Sequence, residues 1–200
     1  MKKVSSIEEK KGKLFKNSFL ESLTKANAWL AALVYFLYWL LLLCFHYNFE
    51  SHSFVEGISI YLFAVLFWTL FEYLAHRFLF HFVTEQPILK RAHFLIHGVH
   101  HEFPKDIERL VMPPIPGTLL TLFLLGFFYL IIPSSAFIFT AGFVNGWAIY
   151  VYIHYMVHAY KPIKGLKFLW THHAKHHYQD GSKAYGVSSP IWDQIFGTMP

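Results

Sequence analysis

The chain has 200 residues, of which 55% are hydrophobic and only 14% are charged, against about a quarter charged in a typical soluble domain. This composition argues against a soluble protein and favours a single domain embedded in a membrane. The formal net charge is +5, but the basic residues form no continuous stripe with exposed aromatics, so we expect no nucleic-acid partner. The single cysteine, Cys44, excludes an intrachain disulfide.

Four apolar runs are each long enough to cross a bilayer as a helix. They span residues 28–45, 58–74, 116–132 and 136–153. Before them, residues 1–27 are polar and lysine-rich, and apolar residues between Leu14 and Leu23 recur at near-helical spacing, which predicts an interfacial amphipathic helix. A tight turn at Pro133 separates the last two runs. The sequence therefore predicts an all-α integral membrane protein with four transmembrane helices in two hairpins.

The distribution of basic residues predicts the topology of these helices. All 17 Lys and Arg residues lie in three polar segments, or at Arg77 beside the second of them. Because positive charge accumulates in cytoplasmic loops, we expect both termini and the middle loop to be cytoplasmic. The predicted division is an N-terminal cytoplasmic or interfacial segment, 1–27, and a four-helix membrane domain, 28–200, with a cytoplasmic helical cap formed by 78–115 and 155–200.

Ten of the fourteen histidines fall into four clusters on the predicted cytoplasmic side. The clusters are His76 and His81; His97, His100 and His101; His154 and His158; and His173, His176 and His177. Positions i, i+3 and i+4 share a helix face, so we expect the second and fourth clusters each to direct three imidazoles the same way. The i, i+5 spacing of the first cluster is looser and predicts that it spans a helix end.

Ten neutral imidazoles exceed the needs of one four-coordinate structural zinc. They suit two metal ions with four or five nitrogen ligands each, and we expect all ten to be ligands of a dinuclear site. Imidazole is a good ligand for iron, zinc and copper, so spacing alone leaves the element open. Of the other histidines, His46 and His52 are expected to be surface residues across the membrane. His93 and His172 flank the clusters, and each either supports a ligand or is a polar residue at the surface.

Supporting residues are expected because a metal-bound imidazole usually donates its other N–H to a carboxylate or a carbonyl. Glu72 lies one helical turn before His76 in an apolar run where a charge is costly, so we expect it to orient that histidine. Four other carboxylates are weaker candidates, and each suits a solvated loop or a helix cap equally well: Glu102, Asp106, Asp180 and Asp193. Tyr155 borders the third cluster, but aromatic packing also accounts for it.

The clusters and their flanks resemble the fatty acid hydroxylase superfamily, and most closely the fatty acid 2-hydroxylases. The resembling stretches are 71–81, 97–106, 109–114, 154–158, 173–178 and 185–198. The resemblance covers residues 57–200 and implies a dinuclear iron site, four membrane helices, a cytoplasmic catalytic cap and O₂-dependent oxidation of a lipid. Two features depart from it. Val151 stands where related hydroxylases carry an aspartate, and the cytochrome b5-like haem domain common in eukaryotic members is missing.

The expected function is hydroxylation of a long-chain fatty acyl lipid, most simply at the 2-position, by two iron ions and O₂. Zinc is a plausible replacement for iron in purified protein, and electrons must come from a separate electron-transfer protein. The alternatives are a sterol, carotenoid or other lipid as substrate, desaturation instead of hydroxylation, or a non-enzymatic metal-binding membrane protein. We expect a multi-pass protein of the inner membrane if bacterial, or of the endoplasmic reticulum if eukaryotic.

Overall fold

The computed structural model describes residues 12–200, and the regular structure within that range is helical. Its α-helices, in chain order, are α1 (Ser18–Ser22), α2 (Ala28–Phe49), α3 (Phe54–Leu74), α4 (Pro87–His93), α5 (Val99–Glu102), α6 (Pro114–Ile131), α7 (Ala136–Ala159), α8 (Lys167–Tyr178) and α9 (Ile191–Ile195). Four of them, α2, α3, α6 and α7, are long and apolar enough to cross a membrane. The prediction of an all-α membrane protein with four spans is confirmed.

Local sequence signals explain where the first hairpin begins and turns. The Asn27 side chain accepts hydrogen bonds from the Trp29 and Leu30 amides and so caps the start of α2. Ser53 and Glu56 form a reciprocal capping box at the start of α3. Because such caps satisfy amides that have no partner within the helix, they fix where α2 and α3 begin.

Helix α7 is the centre of the bundle. Of its most apolar 18-residue stretch, 56% is buried, against 17–22% for the other three spans. Its closest partner is α3, and glycines allow the approach: a Cβ at Gly142 would lie 2.4 Å from the Tyr61 carbonyl oxygen, and one at Gly146 would lie 2.5 Å from the Trp68 Cβ. Small residues at such contacts let two membrane helices pack closely.

The outward faces of α2, α3 and α6 are apolar and exposed, with Leu33, Leu62 and Phe123 all more than half accessible. A soluble protein rarely leaves so continuous an apolar surface uncovered, whereas lipid tails cover it without cost. This surface and the four long helices make the chain an integral membrane protein.

The segment before the first span departs from its predicted form. Residues 1–11 lie outside the described range, and α1 has only five residues, so the expected longer amphipathic helix is absent from the described part. The amides of Leu14 and Phe15 donate instead to the Glu21 carboxylate, which folds the chain back before the helix starts. Glu21 also pairs with the Arg109 guanidinium, so this segment is attached to the cap.

The cap lies at one end of the membrane helices and includes α4, α5 and α8. Helix α8 carries the fourth histidine cluster, and the second is divided between α5 and the π-helical turn Phe94–Gly98. A second π-helical turn, Ala75–Phe80, contains His76 of the first cluster. After α8 the chain returns as a tail that ends near α3, where the Tyr73 and Thr198 hydroxyls are 3.0 Å apart. This tail closes one side of the histidine site.

Candidate metal centre

The structure brings all ten clustered histidines together in two groups of five. In each group, one candidate ligand atom from every member lies within 4.8 Å of those from the others. The first group is His76, His81, His97, His101 and His176; the second is His100, His154, His158, His173 and His177. The two groups adjoin, because the rings of His101 and His177 stack with centroids 4.3 Å apart. The arrangement therefore offers two neighbouring sites of five nitrogens each.

The three-histidine clusters divide between the groups, which corrects the expectation that each directs three imidazoles one way. In the second cluster, His97 and His101 belong to the first group, while His100 belongs to the second. In the fourth cluster the middle histidine, His176, likewise crosses to the first group. The physical reason is the helical rotation of about 100° per residue: i+3 lies about 60° to one side of i and i+4 about 40° to the other, so neighbours on one broad face can still reach different groups.

The first cluster is held together by a π-helical turn. The i, i+5 spacing predicted a helix end but not this turn. His76 lies in the π-helical turn Ala75–Phe80, and His81 follows it directly. A π-helix bonds residue i to i+5, so residues at this spacing lie one above the other, and such turns occur often at functional sites. The two rings are accordingly 5.0 Å apart and belong to the same group.

The imidazoles meet through their Nε2 atoms. In the first group His76 Nε2 lies 3.1 Å from His97 Nε2, and His176 Nε2 lies 3.0 Å from His81 Nε2. In the second group His158 Nε2 lies 2.7 Å from His173 Nε2. Two nitrogens bound at right angles to one metal, each at the usual 2.1 Å, are about 3.0 Å apart. The spacing therefore fits a shared metal ion.

Backbone carbonyls fix the tautomers of two rings. His76 Nδ1 lies 2.5 Å from the Tyr185 carbonyl oxygen, and His176 Nδ1 lies 2.7 Å from that of Lys183. A carbonyl only accepts, so Nδ1 carries the proton and Nε2 of the neutral ring presents a lone pair. Lone pairs converging in a buried site repel unless a cation lies between them, so the donor set fits a metal.

Burial keeps these rings neutral, as metal ligands must be. Desolvation and the neighbouring imidazoles hold the pKa of His97, His100 and His173 well below the ordinary value. The same causes lower the pKa of His81 to about 3, and that of His101 to about 4. At neutral pH the cap therefore presents uncharged nitrogens with free lone pairs.

The carbonyls that orient the first group come from a strained turn in the tail. Ala184, between Lys183 and Tyr185, is fully buried and has a φ of 57°. This left-handed conformation costs a non-glycine residue about 1–2 kcal/mol, and such strain persists where the surrounding structure enforces it. The amide of Ala184 donates to the Thr198 carbonyl at 2.8 Å, and this hydrogen bond joins the turn to the last part of the tail.

Asp193, one of the weaker supporting candidates, organises this turn. Its side chain is completely buried and accepts hydrogen bonds from the amides of Tyr185 and Gly186 at 2.9 and 2.8 Å. It also accepts from the Thr198 hydroxyl and pairs with His172 Nε2 at 3.0 Å. Although burial opposes its charge, these bonds together lower the pKa of Asp193. A lone aspartate near an apolar C-terminal stretch was the sequence signal.

Glu72 supports the site differently from the expectation. Its buried carboxylate accepts from the Val187 and Ser188 amides, at 2.7 and 2.9 Å, and from the Ser188 hydroxyl. The partner of His76 Nδ1 is the Tyr185 carbonyl, so Glu72 acts on that histidine only through the tail. Glu72 and His76 are only four residues apart, but the effect of the carboxylate on the ring is transmitted through the tail.

Two of the weaker supporting candidates, Asp180 and Tyr155, serve other contacts. Asp180 accepts from the Ser182 amide and hydroxyl, at 2.9 and 2.6 Å, and shapes the turn that leads to Lys183. Tyr155 packs against Tyr160, with ring centroids 6.1 Å apart, and lines an apolar cavity. The first shapes a surface loop, and the second belongs to the packing between helices.

The four remaining histidines occupy distinct environments. His172 is buried against Asp193, and His93 Nε2 donates to the Phe80 carbonyl at the end of the π-helical turn, so both brace the cap. His46 and His52, expected to be plain surface residues, are partly buried instead. They lie beside Glu50 at the opposite end of the bundle, where His46 Nδ1 is 2.7 Å from a Glu50 oxygen.

The structure has two sizeable cavities, and one of them adjoins the second histidine group. One, of about 580 Å³, has three of that group's residues in its wall, His158, His173 and His177, together with Trp170 and Lys175. The other, of about 630 Å³, lies between α2 and α7 and is lined mainly by apolar and aromatic side chains. A molecule in the first cavity would reach the imidazoles directly.

A membrane bundle with ten inward-facing imidazoles at one end defines a class of histidine-rich membrane oxidoreductases. Residues 61–198 match the family described as fatty acid hydroxylase. The chain belongs to the fatty acid hydroxylase family, as the resemblance implied.

Curated relatives agree with this assignment. The chain is 35% identical to the dihydroceramide fatty acyl 2-hydroxylase FAH2 of Arabidopsis thaliana over 193 residues, covering 94% of this chain and 80% of that one. It is 40% identical to the fatty acid 2-hydroxylase of Rattus norvegicus over 147 residues, covering 71% of this chain and 40% of the rat protein. The chain thus spans most of the plant relative but less than half of the rat one.

A solved structure shows the same fold. The structure of full-length scs7p, in which only the hydroxylase domain is visible, superposes with a TM-score of 0.84 at 32% identity. The match covers 92% of this chain and 70% of that one. The helical arrangement described above is therefore the fold of a known hydroxylase domain.

Proposed function

We propose that the chain is an O₂-dependent dinuclear iron oxygenase that hydroxylates a long-chain fatty acyl lipid at the 2-position. The observation that carries this proposal is the convergence of ten buried or partly buried imidazoles into two adjoining groups of five. The named activities of the plant and rat relatives, both 2-hydroxylases, support the reaction and its position.

In this proposal the first group holds one iron and the second group holds the other. Reduced iron supplies the activation of O₂ that oxidation of an unactivated C–H bond requires and that side chains lack. The chain's own contribution is positional: the Lys183 and Tyr185 carbonyls fix the tautomers of His176 and His76, so that Nε2 of each faces the metal. Imidazole ligands also accept zinc, which explains why zinc is a plausible occupant after purification.

The cavity beside the second group is the proposed place of the reacting carbon. Its wall combines three imidazoles with aromatic and basic side chains, Trp170, Lys105 and Lys175 among them. A carbon next to an acyl carbonyl lies near the polar headgroup, so it can reach a cap at the membrane surface while the alkyl chain stays in an apolar setting. The apolar cavity between α2 and α7 suits such a chain.

The proposed topology has the cap and both termini in the cytoplasm. The support is the one-sided distribution of lysine and arginine, since residues 26–76 contain neither. On this basis residues 1–27 are an N-terminal segment and 28–200 are the membrane oxygenase domain. A reporter fused after Pro200 should be active on the cytoplasmic side, and activity on the outer side alone would contradict this topology.

Electrons are proposed to come from a separate carrier protein, because the sequence shows no haem, flavin or iron–sulfur motif of its own. The test of the whole proposal is lipid analysis by mass spectrometry in cells that express the wild type or His173→Ala. We expect 2-hydroxyacyl lipids with the wild type alone. A loss of two hydrogens would instead indicate a desaturase, a hydroxyl on a sterol or carotenoid would change the substrate, and unchanged lipids would favour a non-enzymatic metal-binding protein.

A further inference from the structure

A third group of metal-ligand side chains lies at the end of the bundle opposite the cap. His46 and Glu50 are at the end of α2, and His52 is in the loop before α3. One candidate ligand atom from each lies within 4.8 Å of the other two. His46 Nδ1 is 2.7 Å from a Glu50 carboxylate oxygen, and the two imidazole rings are stacked with centroids 5.6 Å apart.

Glu50 is a buried carboxylate without a permanent cation. Its side chain is 2% exposed, and within the described residues its ion pair is with His46. No lysine or arginine occurs between residues 26 and 76. The Phe137 and Ile138 amides, at the start of α7, donate to the carboxylate at 2.7 and 3.2 Å. Buried charges are normally paired, and a bound divalent cation would supply the missing charge.

His52 points to the same conclusion independently. One ring nitrogen, Nε2, lies 3.1 Å from the Ser135 hydroxyl, in the turn between α6 and α7. The other, Nδ1, is buried and has no hydrogen-bond partner among the described residues. Buried polar atoms in folded proteins almost always have a partner, so an unpaired nitrogen beside a carboxylate and a second imidazole calls for a ligand.

We propose that His46, Glu50 and His52 bind a divalent transition-metal cation, such as Zn²⁺, at a site separate from the cap. Two imidazoles and one carboxylate are a known ligand set for zinc, which takes water as its fourth ligand. The bound cation joins the two hairpin ends, because His46 and Glu50 belong to the first hairpin while the start of α7 and Ser135 belong to the second. Its role is structural, and it is independent of the reaction at the cap.

The experiment compares zinc content per chain in detergent-solubilised, zinc-saturated and desalted protein. We expect His52→Asn to hold one zinc fewer than the wild type. Ser135→Ala is the matched control, because it removes the hydroxyl next to His52 but keeps all three ligands, and it should retain the wild-type count. Equal zinc content in the wild type and His52→Asn would overturn the proposal.

Thermal unfolding gives a second readout on protein whose cap is already loaded. Added Zn²⁺ should raise the melting temperature of the wild type and Ser135→Ala, since ligand binding to the folded state stabilises it. Added Zn²⁺ should leave the melting temperatures of His52→Asn and His46→Asn unchanged. If both variants showed the same rise in melting temperature as the wild type, the proposal would be contradicted. If neither variant folds, crystals of the zinc-loaded wild type decide: an anomalous zinc peak between His46 and His52 is expected, and its absence would refute the site.

Discussion

The two histidine groups of the cap differ in what surrounds them. In the first group, the Nδ1 atoms of His76 and His176 donate to carbonyls of the buried tail turn. In the second, the Nδ1 atoms of His100, His173 and His177 have no partner within residues 12–200, and three members of the group line an open cavity. The tail orients two rings of the first group, whereas three rings of the second line a cavity, so we expect the first to fix its metal and the second to meet the substrate.

The largest effect is expected from removing the two histidines that belong to a different group from the other members of their clusters. His176→Ala should deplete the first group and His100→Ala the second, because each removes one of five nitrogens. Product per folded protein should fall more than about 100-fold in both, beyond the range typical of residues that only support ligands. The measurement is product yield with metal content on the same samples.

His46→Ala is the control for those two changes, since its ring lies at the far end of the bundle. Its product yield per folded protein should match the wild type. If His46→Ala lost as much product as His176→Ala, the division of the histidines between cap and far end would be wrong.

Asp193→Asn should have the next largest effect, through the tail rather than through a ligand. The change weakens the acceptor for the Tyr185 and Gly186 amides and for His172, so the carbonyl that fixes His76 loses its position. We expect activity to fall about 10–100-fold. Metal affinity should weaken first in the group that contains His76. Metal titration monitored by calorimetry would show this, and equal weakening at both sites would remove the distinction between them.

Glu72→Gln should cost less than Asp193→Asn. The amide of glutamine keeps an oxygen that accepts from the Val187 and Ser188 amides, but it loses the charge that strengthens those bonds. A decrease of about 10-fold in metal affinity or activity is expected, at the low end for such supporting residues. Glu72→Ala is the comparison, and a milder loss with alanine than with glutamine would contradict the role given to the tail contacts.

Asp180→Asn should have the smallest effect. The side chain is partly exposed and, within the described residues, accepts hydrogen bonds from the neighbouring Ser182; asparagine keeps an oxygen that makes the same turn. Surface changes of this kind usually alter stability by less than about 0.5 kcal/mol. Activity and melting temperature should both remain near wild type, and a loss comparable to that of Glu72→Gln would show that the loop before Lys183 matters more than its contacts suggest.

The sequence predicts the helices and the membership of the site because both follow from local patterns. Apolar runs predicted all four spans, and histidine spacing selected the ten residues that the structure brings together. The assignment of His100 and His176 to opposite groups was missed, because it depends on how the cap helices pack against each other. Spacing along one helix carries no information about which neighbour each side chain meets.

The tail was the other part that sequence reasoning missed. Its contacts join Glu72 to Ser188 and His76 to Tyr185, more than a hundred positions apart. No periodicity predicts such contacts, because the tail is irregular and is held by side-chain acceptors rather than by a helical or strand repeat. The only sequence sign of the π-helical turn at His76 was the i, i+5 spacing of His76 and His81.

The crossing of His100 and His176 has a consequence for biogenesis. When the ribosome has passed His101, four of the five nitrogens of the first group exist, but the fifth comes from α8, after the second hairpin. The second group includes His100, which is synthesised long before the other four members of that group. A partly synthesised chain therefore carries only incomplete histidine groups. Both groups can be fully loaded with metal only after both hairpins have docked.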